Sequence, residues 1–307
     1  MPLDPLLENY IASRKDEARM YQMTPQEARA SKADARMKTW PRAAEVTTQD
    51  IAIPMDWGDC NARLYRPSNE TLPLVIYYHG GGFMICDIET HDGVCRSISG
   101  SANVAVLSVD YRLAPEHPYP AGQNDATDAV HWAIANKSTL NFDPAQIILA
   151  GDSAGGNLAA VAALRLVGEI DILGQALLYP ATDYADQHYA SRDTFANGYG
   201  LTKGDGDFFW DNYLSGDEKR PREIAIVERD DLGNSPATFV GTAEYDPIRD
   251  EAEIYAARLV AHGVPTFARR YLGANHNFLA FAGLIAACDE IYTDLSRWIG
   301  SITGETK

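Results

Sequence analysis

At 307 residues the chain is long enough for one α/β core with a modest extra layer, and 43 acidic against 26 basic residues leave a net charge of −17, which disfavours nucleic acid and anionic membranes as partners. No window approaches the length of a membrane span, and Met1-Pro2-Leu3-Asp4-Pro5 carries neither a basic n-region nor an apolar h-region, so a cytoplasmic location is expected. The four cysteines, Cys60, Cys86, Cys95 and Cys288, lack metal-site spacing and are expected to stay reduced; Cys86 and Cys95 flank His91 and Asp92, which reads as coincidence rather than a zinc site.

In chain order, residues 1 to about 45 are charged and helix-prone, with Leu6, Leu7, Tyr10, Ile11, Met20, Tyr21 and Met23 interspersed. Leu74-Val75-Ile76-Tyr77-Tyr78 is a buried-strand pattern that runs into His79-Gly80-Gly81-Gly82-Phe83, where three glycines let the backbone bend and present bare amides. A second strand is predicted over 104–109, and a covering helix over 125–135 in which His131 is an ordinary helix residue. The apolar run Ile147-Ile148-Leu149-Ala150 leads through Gly151-Asp152-Ser153-Ala154-Gly155 into a helix over 157–164, and a further strand follows at 175–179. Residues of about 185–222 form an insertion dense in aromatics, after which come a strand at 237–242, a helix at 253–261 and a strand at 266–271. This alternation predicts a mostly parallel sheet flanked by helices.

Strand, tight turn and helix with a serine at the apex is the context in which G-x-S-x-G becomes chemical. The turn forces Ser153 toward backbone angles most residues avoid, Gly151 and Gly155 supply the missing bulk, and the Ala154 amide faces any negative charge that develops beside the hydroxyl. The glycines after Tyr78 would supply the other half of such an oxyanion site. A phosphate cradle is disfavoured, because no Gly-Lys-Ser/Thr follows.

An activated serine needs a base and a carboxylate, and in this architecture the acid precedes the histidine after the serine. Of the seven histidines only His188, His262 and His276 follow Ser153. His188 precedes any suitable acid, and His262 closes a helix before Gly263, where it reads as a cap. His276, in the loop after the strand at 266–271, is the expected base. The strand at 237–242 ends in a crowd of acids. Asp246 is favoured because the following proline stiffens its backbone; Asp250 and Glu251 read as partners of a helix N-terminus, and Glu244 is the fallback.

Together, His79-Gly80-Gly81-Gly82-Phe83, Asp110-Tyr111-Arg112-Leu113-Ala114-Pro115-Glu116, Gly151-Asp152-Ser153-Ala154-Gly155-Gly156-Asn157, Asp246-Pro247-Ile248-Arg249-Asp250 and His276 resemble the bacterial hormone-sensitive-lipase family of carboxylesterases over roughly residues 40 to 300. The resemblance implies an alpha/beta-hydrolase fold with nucleophile Ser153, base His276 and acid Asp246, oxyanion donors Gly81, Gly82 and Ala154, and no cofactor or metal. It also implies a helical cap made by residues 1–45 and about 185–222 over a core of 46–184 and 223–307. Phe83, Phe195, Tyr199, Leu201, Phe208, Phe209 and Trp210 are the expected pocket residues. One departure is visible: the family usually has glycine after its histidine, and here stands Asn277.

The expected substrate is a small-molecule ester with a short- to medium-chain acyl group, with a homodimer left open. The same machinery could attack an aryl formamide or a lactone. Non-hydrolytic relatives, hormone receptors and a dehydratase, alter triad members that are all present here.

Overall fold

The computed structural model describes residues 1–31, 45–215 and 220–304; residues 32–44 and 216–219, both expected in the cap, lie outside the described part. The chain runs through α1 (Pro5–Ser13), α2 (Pro25–Ala30), β1 (Thr47–Met55), β2 (Gly58–Arg66), β3 (Leu72–Tyr78), α3 (Asp92–Ala102), β4 (Ala105–Val109), α4 (Ala121–Ala135), α5 (Lys137–Leu140) and β5 (Phe142–Asp152). It continues through α6 (Ala154–Arg165), β6 (Gly174–Leu178), α7 (Ala190–Thr194), α8 (Lys203–Leu214), β7 (Ala237–Tyr245), α9 (Arg249–Ala261), β8 (Thr266–Asn275) and α10 (Ala286–Thr303).

The eight strands form one sheet in the order β1-β2-β4-β3-β5-β6-β7-β8. The β1–β2 and β2–β4 pairings are antiparallel and all others parallel. Every residue of β3, β4 and β6 is buried, which explains why their sequences are mostly apolar with no polar alternation: strands covered on both faces have no solvent side to alternate toward. One face carries α4, α6 and α9, whose Ala126, Ala129, Leu158, Val161, Tyr255 and Leu259 join the first core. The opposite face carries α3 and α10, and there Leu7 of α1 is fully buried in the second core, which also holds Val94, Ile98, Ile291 and Trp298. A leucine so placed contributes roughly 1.5–3 kcal/mol, enough to moor α1 to the core.

β7 and β8 run three and four residues past the ends read from the sequence, to Tyr245 and Asn275. Pairing resumes beyond an irregularity at Ala243/Tyr245, so Tyr245 lies opposite Asn275 and both strands reach the same end of the sheet. There a third apolar cluster, Ala28, Met84, Ile85 and Phe209, joins α2 and α8 above the loop after β3.

Candidate active site

Ser153 adopts φ 53° and ψ −119°, a conformation held by backbone bonds: its N–H donates to the Leu178 carbonyl (2.8 Å), and its own carbonyl accepts from Ala181 (3.0 Å), Gly156 (3.1 Å) and Asn157 (3.3 Å). The two glycines are required by contact as well as by curvature. A Cβ at Gly151 would run into the backbone of Gly155, and one at Gly155 into the Tyr78 carbonyl. Strand β5 and helix α6 therefore meet closely enough to lift the serine off the end of the sheet.

The Ser153 hydroxyl lies 3.0 Å from His276 Nε2, and His276 Nδ1 donates to Asp246 Oδ2 at 2.7 Å. The imidazole and the carboxylate are both buried. Because an ionised carboxylate can only accept, the proton sits on Nδ1 and the Nε2 lone pair is left for the hydroxyl, the arrangement in which imidazole can take a serine proton. Asp246 is itself fixed by the Ile248 amide (3.0 Å).

The other acids have different work. Glu244 accepts from the Gly273 amide (2.7 Å), bracing the turn in β8. Asp250 bonds Ser191 N–H (2.8 Å) on α7. Glu251, read as a dipole partner, is instead fully buried in an ion pair with Arg192, and also accepts from the Thr182 (2.8 Å) and Asp183 (3.2 Å) amides. Desolvation pushes its carboxyl up despite that arginine. Neither the other histidines after Ser153 nor His131 approach the site: His262 caps α9 through Arg258 O (2.7 Å), His188 is exposed beside Asp193, and His131 pairs with Glu169.

Asn277 has φ 69° and ψ 21°, the left-handed region that glycine tolerates best and asparagine next. The departure from glycine therefore preserves the turn that carries His276.

Gly81, Gly82 and Ala154 line one cavity with Ser153 and His276. Ala154 opens α6, so its amide is one of the N–H groups a helix leaves unpaired. Gly81 and Gly82 have φ of 113° and 59°, and a Cβ on Gly82 would strike the Phe209 ring, so the loop can only be glycine where α8 closes on it. Behind the loop His79 stacks on Tyr111 (4.5 Å between centroids), and its Nδ1 donates to the Gly80 carbonyl (2.8 Å). Burial and the neighbouring His91 lower its pKa to about 4, while burial and the nearby Asp87 push Asp110 up to about 6.

The motif reading missed two residues here. Asp152 is fully buried, accepts from Tyr77 OH (2.7 Å) and Gly80 N–H (2.8 Å), and faces His91 Nε2. Its position beside the serine in Gly151-Asp152-Ser153 was the available signal. His91, dismissed as coincidence between two cysteines, lines the cavity. Among the described residues no group of three or more His, Cys, Asp or Glu could hold a metal, and no cysteine is in a disulfide.

The cavity measures about 260 Å³. Of the expected pocket residues Phe83, Leu201, Phe209 and Trp210 line it, joined by Tyr10 and Ile11 of α1, Met20 and Met23 before α2, and Ile85. Phe195, Tyr199 and Phe208 do not. Phe195 and Tyr199 turn away to pack on Tyr245 (5.5 and 5.2 Å) at the end of β7, and Phe208 packs beside the third cluster, next to Phe209 (6.1 Å). Adjacent positions on a helix point about 100° apart, so only part of an aromatic run can face one cavity. Tyr213, on the inner face of α8, stacks on Phe83 at 3.9 Å.

This sheet order, with a serine elbow after β5, defines an alpha/beta hydrolase. A family model described as alpha/beta hydrolase fold matches residues 75–280. The chain is 42% identical over 246 residues to the carboxylic ester hydrolase LipN of Mycobacterium tuberculosis, covering 76% of this chain and 65% of LipN, so it spans just under two thirds of that relative's length. It is 36% identical over 289 residues to an arylesterase of Saccharolobus solfataricus, covering 91% of this chain and 93% of the arylesterase. An esterase structure from Pyrobaculum calidifontis superposes with a TM-score of 0.89 at 36% identity, covering 98% of this chain and 99% of the other. The chain belongs to the alpha/beta-hydrolase family, in the hormone-sensitive-lipase-like group of carboxylic ester hydrolases that its motifs resemble. No described helix is long and apolar enough to cross a membrane.

Proposed function

We propose that the chain is a carboxylesterase that hydrolyses short- to medium-chain acyl esters through an acyl-enzyme. Ser153 attacks the ester carbonyl while His276 Nε2 takes its proton and Asp246 stabilises the resulting imidazolium. The amides of Gly81, Gly82 and Ala154 receive the oxyanion. His276 returns the proton to the leaving alcohol, then activates the water that cleaves the Ser153 ester. The observation that carries this reading is the continuous Ser153, His276, Asp246 chain at 3.0 and 2.7 Å, opening onto a cavity with apolar walls.

The cavity volume of about 260 Å³ supports a small substrate, falling below the ~300–1,000 Å³ of drug-sized ligand sites. Residues 1–45 and 185–222 act in this reading as a cap on the core of 46–184 and 223–307. Contacts favouring it are the Met20 amide on Asp205 of α8 (3.0 Å) and the shared cluster of Ala28 with Phe209. A panel of p-nitrophenyl esters from acetate to decanoate, with aryl formamides and lactones, tests it. The expected result is a kcat/KM maximum among the short and medium esters. A maximum on formamides or lactones would move the substrate class, and no turnover of any acyl substrate would remove the reading.

A further inference from the structure

The two halves of the proposed oxyanion site come from segments 72 residues apart in sequence, and one buried carboxylate touches both. Asp152 is the chain neighbour of Ser153, hence of the Ala154 amide, and its Oδ1 holds the Gly80 amide at 2.8 Å, directly before Gly81 and Gly82. The fit is close: a Cβ on Gly80 would collide with Asp152 Oδ2. Oδ1 also accepts from Tyr77 OH at 2.7 Å. Apart from Oδ1's two partners, the donor facing this carboxylate is His91 Nε2, 3.3 Å from Oδ1 and 3.4 Å from Oδ2. Asp152 and His91 are each 1% exposed, so their contact is buried in the wall of the cavity.

Desolvation pushes the Asp152 carboxyl up, yet the charge and hydrogen bond of His91, with Tyr77 and the Gly80 amide, bring it below the usual aspartate range. His91 is fixed in turn. Its Nδ1 lies 3.1 Å from Thr90 Oγ1, whose hydroxyl is engaged by the Asp87 carbonyl (2.8 Å) and amide (2.9 Å), and its ring lies 5.5 Å from that of His79.

We propose that His91 is a positioning residue for the oxyanion site: by holding the Asp152 carboxylate it keeps Gly80, and so the Gly81 and Gly82 amides, in register with Ala154. This rests on the esterase reading above. Without the Nε2 donor, Oδ2 loses its partner and the carboxylate is held through Oδ1 alone, so it can tilt about that atom and shift the Gly80 amide bonded to it. A donor displaced by about 1 Å lowers turnover by roughly 100-fold, so about 10- to 100-fold is expected for this indirect effect.

The test compares His91→Asn with His91→Gln in the full chain. Asparagine suits the N-cap position that His91 occupies and keeps a nitrogen near Nδ1, but is too short to reach Asp152; glutamine places an amide where Nε2 stood. His91→Asn should lose about 10- to 100-fold in kcat with KM changed less than about 3-fold, and should weaken a boronic acid transition-state analogue in proportion; His91→Gln should restore most of both. Wild-type kcat in His91→Asn would overturn the proposal, as would equal losses in both variants with a lowered thermal midpoint. Failure of the esterase reading is distinguishable, because the wild-type chain itself would then neither turn over p-nitrophenyl butyrate nor bind the boronic acid.

Discussion

On one side of the cavity, its floor, Ser153 and His276 each immediately follow the last residue of a strand, β5 and β8, as Asp246 follows β7, whereas the facing walls, its roof, include side chains of α1 and α8: Tyr10, Ile11, Phe209 and Trp210. β5 and β7 are hydrogen-bonded to strands on both sides, and β8, at the sheet edge, is paired with β7 and buried over its last three residues before His276. The roof is held by aromatic stacking of Phe83 on Tyr213 and by the Met20 amide on Asp205 of α8. Atom positions for chemistry are thus set by the sheet, while the shape of the substrate space is set by how a few helices are rotated. The floor should therefore fail all at once and the roof by degrees.

The largest effects belong to the floor. Ser153→Ala or His276→Ala should lower kcat by about 10⁴- to 10⁶-fold, and Asp246→Asn by somewhat less, with circular dichroism and thermal midpoint close to wild type. Near-normal turnover in Ser153→Ala would break the distinction at its root.

The glycine loop is backed by a buried titratable group. His79 has a folded pKa of about 4 against an ordinary value of 6.5, so between these pH values the unfolded chain binds more protons. Its contribution to stability is complete above pH 6.5 and is lost as pH falls through 4, a swing of about 3 kcal/mol. Asp110, raised to about 6, acts in the opposite sense, so the measurement is the difference between wild type and His79→Asn in urea unfolding at pH 4 and pH 7. That difference should move by about 3 kcal/mol, favouring wild type at pH 7. A pH-independent difference would show that His79 is not held neutral.

In the roof, Phe209→Ala should flatten or lengthen the acyl-chain profile by up to ~0.8 kcal/mol per methylene, about 4-fold, measured as kcat/KM from acetate to decanoate. Phe195→Ala, although its ring is buried, should lower stability by about 3 kcal/mol and leave that profile unchanged, because the ring packs on Tyr245 and not on the cavity. Equal changes in profile from both would mean that the whole insertion shapes the pocket as one unit.

Legibility in the sequence divided along the same line. The elbow, the glycine loop and the order of acid before histidine are local patterns with few structural meanings, so Ser153, Gly81, Gly82, Ala154, Asp246 and His276 were all nameable before any coordinates. The alternating strands and helices gave the sheet and its direction. Which aromatics face the cavity was not readable, because helical rotation and the pull of Tyr245 decide it. The Asp152–His91 contact was hidden for another reason: it joins residues 61 apart with no shared motif, and only the fold brings them together. The role of Asn277 likewise needed its backbone angle.

The most direct test of the central claim is to stop turnover of a p-nitrophenyl ester in acid and locate the acyl group by peptide mass spectrometry. The expected result is one acyl group per chain on the peptide containing Ser153, formed in a burst of p-nitrophenol and absent from Ser153→Ala. An acyl group on another residue, or full turnover with no covalent intermediate and an unimpaired Ser153→Ala variant, would contradict it.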